Sequence, residues 1–139
     1  MRLKYTIVIG AMFLGLNMNC QNTPKKVSAN LAESMEEGKL IYNDFCISCH
    51  MADGEGAGAI FPPLANSDYL KNKQIESIKA VKYGMSGEIL VNGKTYNSVM
   101  SPMGLSDQEV ADVMNYINNS WGNDYGEFYA KSDISKIKP

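Results

Sequence analysis

Histidine occurs once in this 139-residue chain, at position 50, tryptophan occurs once, and cysteine three times. A single histidine excludes a zinc site with two His ligands built from this chain alone. A Ser-His-Asp triad would have to use His50. Three cysteines are too few for a disulfide scaffold. A surplus of positive charge is also missing: 13 Lys+Arg against 15 Asp+Glu give a net charge of −2, whereas a nucleic-acid binder usually carries a basic excess or stripe. The apolar run from Ile7 to Met18, broken by Asn17, is too short for a membrane span, which needs roughly 20 residues. Internal repeats and low-complexity tracts are absent. At 45% hydrophobic and 20% charged, the composition is that of one ordinary globular domain, neither collagen-like nor disordered.

The N-terminal run does have a reading. Arg2 and Lys4 precede it and Cys20-Gln21-Asn22-Thr23-Pro24 follow it. A charged start, an apolar stretch and polar residues at once behind are the plan of a secretory signal. Residues 1–19 are therefore read as a signal peptide, and the exported protein as periplasmic. Cys20 stands where a bacterial lipoprotein signal would be cut, and lipidation there would anchor the chain to a membrane. Asn17-Met18-Asn19 match the small-residue preference of such sites poorly. Residues 20–32 are polar and Pro-interrupted and read as a tether.

Beyond the tether, Leu31, Met35, Leu40, Ile41 and Phe45, with Tyr42 at the edge, fall near a helical stripe running to about Cys49. Glycine and proline fill 51–68 and predict a loop. Residues 74–83 read as a short helix with Ile75, Ile78 and Val81 inward, stopped at Gly84. Asn92-Gly93 between β-prone residues predicts a hairpin over 88–96. A Met/Pro/Gly loop over 97–105 follows. Ser106-Asp107-Gln108-Glu109 then forms a capping box for a helix with Val110, Val113, Met114 and Ile117 on one face. The folded domain spans 33–122, and 123–139 is an extension with Tyr125, Phe128 and Tyr129 laid on the body. Three to four helices, one hairpin and long loops are thin regular structure for the length, and such loops are usually functional.

Cys46-Ile47-Ser48-Cys49-His50 is C-x-x-C-H, the attachment sequence of c-type haem. One helical turn at that spacing holds both sulfurs on one side, so that they can add to the two vinyl groups of a porphyrin edge. The adjacent His50 then reaches the iron through Nε2. A thioredoxin-type reading lacks the βαβ context, and a zinc ribbon lacks a second Cys pair. With one histidine, a sixth ligand has to come from elsewhere, and methionine suits an electron carrier. Met35 and Met114 sit on helical stripes and read as core. Met51 adjoins His50 and cannot reach the far side of the ring. Met100 in the Pro/Gly loop is the preferred distal ligand, with Met103 and then Met85 as alternatives. Ile60, Phe61, Leu64, Tyr69, Val91 and Tyr96 are expected to wall the ring.

Over residues 34–122 the chain resembles small class I bacterial cytochromes c. The resemblance rests on Gly38…Tyr42…Cys46-x-x-Cys49-His50…Asp53-Gly54-x-Gly56, on Pro62-Pro63-Leu64-Ala65, on Asn92-Gly93…Tyr96-Asn97…Met100-x-Pro102, and on Tyr116-Ile117…Ser120-Trp121-Gly122. It implies an all-α, cytochrome c-like bundle around one covalent haem c, with a small β-hairpin and long loops. It makes Cys46 and Cys49 the thioether ligands, His50 the proximal iron ligand and Met100 the distal one. It also makes Gly38 and Tyr42 the crossing of the first and last helices, and a carbonyl of Pro62-Pro63 the partner of His50's other ring nitrogen. Met51 stands where the family often has Gly, Ser101 where Pro commonly follows the ligand, and Met103 adds a second sulfur.

The expected function is a monohaem one-electron carrier in a respiratory chain, cycling Fe(III)/Fe(II). Its partners would be redox proteins and, through Cys20, a membrane, with no nucleic acid. The alternatives are a non-catalytic haem subunit of a membrane oxidase or reductase complex and a haem peroxidase. The peroxidase would need an open sixth position and a distal acid/base that no second histidine can supply.

Overall fold

The structure is a computed structural model that describes residues 29–126 and 128–139. The leader, Cys20 and the tether up to residue 28 lie outside the described residues. Among those described, six helices and one hairpin follow in the order α1 (Ala29–Phe45), α2 (Ile47–His50), α3 (Asp68–Asn72), α4 (Gln74–Tyr83), β1 (Ile89–Val91), β2 (Lys94–Tyr96), α5 (Asp107–Asn118) and α6 (Lys131–Ile134). The class is all-α with a small hairpin. The helices number more than the expected three to four because α2, α3 and α6 are pieces of four or five residues. None of the helices described is long and apolar enough to cross a membrane.

The frame is the crossing of α1 over α5. The buried face of α1 runs Leu31, Ser34, Gly38, Tyr42, and Leu40 and Phe45 point outward, Leu40 being 59% exposed. Of the stripe read from hydrophobic spacing, Leu31 and Tyr42 are buried and Ile41 packs on the core, whereas Leu40 and Phe45 are off it. The reason is Gly38: a Cβ there would overlap the Asp112 carbonyl and press on Tyr116 Cβ. The missing side chain lets the α1 backbone lie against the Asp112 carbonyl of α5, and that close contact turns the Gly38 face inward. Polar groups on the buried face are satisfied, as burial requires. Ser34 Oγ donates to Asp112 Oδ1 (2.5 Å), and Asn115 Nδ2 donates to Ser34 Oγ (2.8 Å).

α5 opens on the expected capping box. Ser106 Oγ accepts from the Glu109 N–H, and the Glu109 carboxylate accepts from the Ser106 N–H. Val110, Val113, Met114 and Ile117 are buried along it. On α4, Ile78 is buried and Val81 half-buried, but Ile75 is 49% exposed; the inward row is Ile78–Val81 with Ala80 in place of Ile75. Residues 89–91 and 94–96 pair antiparallel with Ile89 opposite Tyr96. Asn92 (φ 50°) and Gly93 (φ 74°) supply the two left-handed residues that a tight hairpin turn needs. The first residues of α1, Ala29–Ala32, fall within the sequence-read tether, and Leu31 among them is buried. α3 was not legible as a helix. Its cap is Ser67, whose side chain accepts from the Leu70 N–H, and the Pro/Gly loop before it masks that signal.

Candidate functional site

The C-x-x-C-H segment is a helical turn set off from α1. The Cys46 N–H donates to Tyr42 O (2.9 Å), and the Cys49 and His50 N–H groups both donate to Cys46 O (3.1 and 2.9 Å). Residues three and four apart share a helix face, so Cys46, Cys49 and His50 turn the same way. All three are half-buried and line one cavity of about 310 Å³. Burial, and then the neighbouring Cys49, push the Cys46 thiol up to about 11. Unlike a nucleophilic cysteine held as thiolate, it stays protonated.

His50 Nδ1 lies 3.0 Å from Pro62 O. A carbonyl oxygen only accepts, so Nδ1 carries the proton and Nε2 keeps its lone pair. Burial lowers the His50 pKa, and the bond to Pro62 opposes it only in part, so the ring is neutral. The sequence expectation of a proline carbonyl behind His50 thus falls on Pro62.

The loop that presents Pro62 is tightly shaped. Gly56 donates its N–H to His50 O (3.0 Å), and Ala57 and Phe61 pair through both backbone bonds. A Cβ on Gly56 would overlap the Phe61 and Pro62 carbonyl groups, and its φ of +70° is left-handed. Gly54 O accepts from Leu64 N (2.7 Å) and Ala65 N (2.9 Å). Behind Gly54 stands Trp121, whose Nε1 donates to Ala52 O (3.1 Å) and whose ring fills the space of a Gly54 Cβ. Tyr42, Tyr116 and Trp121 stack mutually at 5.0–5.5 Å between centroids, and the Tyr42 hydroxyl donates to Met51 O (2.7 Å). Aromatic contacts of that geometry add stability beyond their area.

The rest of the cavity is apolar. Phe61, Leu64, Tyr69, Val91 and Tyr96 line it as expected, while Ile60 is 60% exposed and does not. The lining also includes Ala80 and Val81 of α4, Val113 and Ile117 of α5, and Phe45, Ile89 and Val99. Sequence reasoning missed these. Two of them, Phe45 and Val99, are large apolar residues left exposed, which no core periodicity reveals. Met85, Met100 and Met103 all lie in the wall. Met85 and Met100 pair antiparallel through two backbone bonds of 2.8 and 2.9 Å. Gly84 leaves room for this: a Cβ there would meet Met100 O at 2.7 Å and Pro102 Cδ at 2.8 Å. Cys20 lies outside the described residues.

The donor set fits a ring-bound iron better than a bare ion. Among the described residues no three His, Cys, Asp or Glu side chains form a group able to hold a metal. What converges instead is a neutral imidazole with a free Nε2, two thiols on one turn, and thioether sulfurs in an apolar wall.

The family model described as "Cytochrome c" matches residues 35–121. The chain belongs to the cytochrome c family. Members of that family bind covalent haem c. The chain is 38% identical over 97 residues to cytochrome c-552 of Thermus thermophilus, covering 66% of this chain and 65% of that protein. It is 31% identical over 139 residues to the cytochrome c subunit of a quinone alcohol dehydrogenase of Gluconobacter oxydans, covering 97% of this chain but 29% of that subunit. A third relative, the FixP subunit of a cbb3-type cytochrome c oxidase of Bradyrhizobium diazoefficiens, is 29% identical over 103 residues, covering 70% of this chain and 34% of the subunit. The chain thus spans just under two thirds of the Thermus cytochrome and about a third or less of the two subunits.

Proposed function

We propose that this cytochrome c is a monohaem one-electron carrier of a respiratory chain. In this reading Cys46 and Cys49 hold the haem through thioether bonds, His50 is the proximal ligand and Met100 the distal one. The haem supplies an Fe(III)/Fe(II) couple. The protein's part is to add two thiols across two vinyl groups, keep Nε2 of His50 free and aimed, and exclude water with the apolar wall. The observation that carries the reading is the bond from His50 Nδ1 to Pro62 O, inside a cavity whose lining includes both cysteines and Met100. A backbone acceptor on one ring nitrogen fixes the tautomer and orientation of a ligating histidine. Met100 is favoured over Met103 because its main chain is clamped to Met85, whereas Met103 precedes Gly104 in a left-handed conformation. It is favoured over Met85 by the Met100-x-Pro102 pattern of the family.

Residues 1–19 act as the export signal in this reading, and Cys20 carries a lipid that keeps the domain, 33–122 with its extension 123–139, at the membrane. Intact mass of the exported protein tests this: a mass without lipid on Cys20 overturns the anchor.

The ligand assignment is tested by the pyridine-haemochrome of the protein and the reduced spectra of Met100→Ala, Met103→Ala and Met85→Ala. Only Met100→Ala is expected to lose the low-spin spectrum and gain rapid CO binding. Wild-type redox behaviour in Met100→Ala overturns it. If the wild-type protein itself binds CO rapidly, the peroxidase reading replaces the carrier. A second reading, a non-catalytic haem subunit of a larger redox complex, is favoured by the alignment of almost the whole chain with a dehydrogenase cytochrome subunit. Stable co-purification of a membrane oxidase or dehydrogenase supports it over the free carrier.

A further inference from the structure

The family match ends at residue 121, and the haem reading gives the residues after it no task. They are nonetheless bonded along the length of α4. At its first residue, the Tyr129 hydroxyl donates to Gln74 Oε1 (3.1 Å). At its last two, Lys82 Nζ donates to Ile134 O (3.1 Å) and the Tyr83 hydroxyl donates to Ile137 O (2.8 Å). Ile134 is fully buried in the core. The Tyr129 backbone is tied to α5 by a reciprocal pair with Asn115, 2.8 and 2.9 Å.

Those contacts sit where the methionine loop is anchored. Directly after Tyr83 come Gly84, packed on Met100 O and Pro102, and Met85, which exchanges two backbone bonds with Met100. At the far end of the loop, Asp107, the first residue of α5, forms an ion pair with the same Lys82 (2.7 Å). Two attachments of 97–106 therefore run through residues 82–85, and a third, Ser98 Oγ donating to Ile60 O (2.6 Å), ties the loop's start to the opposite wall. The C-terminal segment grips two of these four.

We propose that residues 128–137 are a strap that positions the Met85–Met100 pair, by holding Lys82 and Tyr83 against the carbonyls of Ile134 and Ile137. Tyr83 and Lys82 are thus positioning residues. The bracing stands on the contacts alone. Its relevance to the iron rests on the reading of Met100 as distal ligand.

The test is hydrogen exchange of the holoprotein, read at single amides. Tyr83→Phe deletes one hydroxyl and leaves the packing. Loss of one ordinary hydrogen bond is worth a factor of about ten in a local opening equilibrium. Exchange at the Met85 and Met100 amides is expected to rise by about that factor, with amides at the Gly38 crossing unchanged. Unchanged exchange at Met85 and Met100 in Tyr83→Phe overturns the strap, as does an equal rise at the Gly38 crossing. Met100→Ala, which tests the ligand reading, answers separately. Should it keep the wild-type sulfur-to-iron absorption band, the distal assignment falls and the exchange result still decides the strap.

Discussion

The two walls of the cavity are built on different plans. The His50 wall, residues 46–66, is a helical turn locked into its own loop. Gly54 and Gly56 are pressed against backbone and indole, Pro62 O sits on the imidazole, and Trp121 and Tyr42 back the loop. The Met100 wall, residues 84–105, is held at and just after its hairpin by hydrogen bonds linking Asn92, Lys94 and Ser98 to residues 58–68. At its methionine end it is held by the two-bond pairing of Met85 with Met100, by Gly84 and by the Lys82–Asp107 ion pair. The first wall is specified locally and braced by the α1–α5 frame. The methionine end of the second also leans on what packs behind α4. On the proposed ligand assignment, His50 is held by short-range geometry and Met100 by contacts from farther along the chain.

The largest effect expected concerns what both walls share. Both walls line one apolar cavity of about 310 Å³, and leaving such a space unfilled forfeits the packing contacts of its lining. Replacing both Cys46 and Cys49 by Ala removes covalent attachment, and the haem-free product is expected to lose the native helical far-UV dichroism. Retention of that dichroism would show that the protein walls stand alone.

The next effect separates the walls. Gly56→Ala must overlap backbone carbonyls and sits at φ +70°, so the His50 wall should lose about 3 kcal/mol. Gly87, beside the other wall, has φ +97° but open space around its missing Cβ. Gly87→Ala should cost only about 1 kcal/mol. Chemical denaturation of the two variants decides; equal costs would mean the walls are equally tight.

One residue of the His50 wall is strained in the other direction. Met51 holds φ 63°, ψ 164°, a region nearly confined to glycine and costing about 1–3 kcal/mol for other residues. Met51→Gly is expected to raise stability by about 1 kcal/mol after the entropy cost of glycine, with the absorption spectrum unchanged. A lower denaturation midpoint would contradict it.

The smallest effect is at the exit of the methionine loop. The Ser106 hydroxyl and N–H hold the Glu109 carboxyl below its usual pKa. A depressed carboxylate stabilises the fold above its unfolded pKa, and the gain is lost as pH falls through the folded value. Melting of wild type against Glu109→Gln should therefore differ near neutrality and converge in acid. A difference that grows on acidification would reverse the sign.

What was legible in the sequence follows the same division. C-x-x-C-H, the hairpin at Asn92-Gly93 and the capping box at Ser106 are local devices, and each falls where the residues placed it. The buried face of α1 is only half legible: Leu31 and Tyr42 fall on the hydrophobic stripe, but Ser34 and Gly38 between them are residues that hydropathy does not count. Ile75, inward by helical periodicity, and Ile60, expected in the wall of the ring, both lie exposed. Met100 is preferred from the sequence over Met103 and Met85, but its backbone pairing with Met85 is a long-range contact that only the tertiary structure displays. The strap was legible as an extension but not as a brace, because its acceptors are backbone carbonyls of residues 134 and 137.

The central claim is that this polypeptide carries one porphyrin on Cys46 and Cys49. Denaturing intact-mass spectrometry of the purified holoprotein, followed by peptide mapping, tests it most directly. The expected result is the polypeptide plus a single haem that survives acid-acetone extraction and maps to the peptide containing Cys46 and Cys49. A mass without porphyrin, or a haem that extracts freely, would contradict the account.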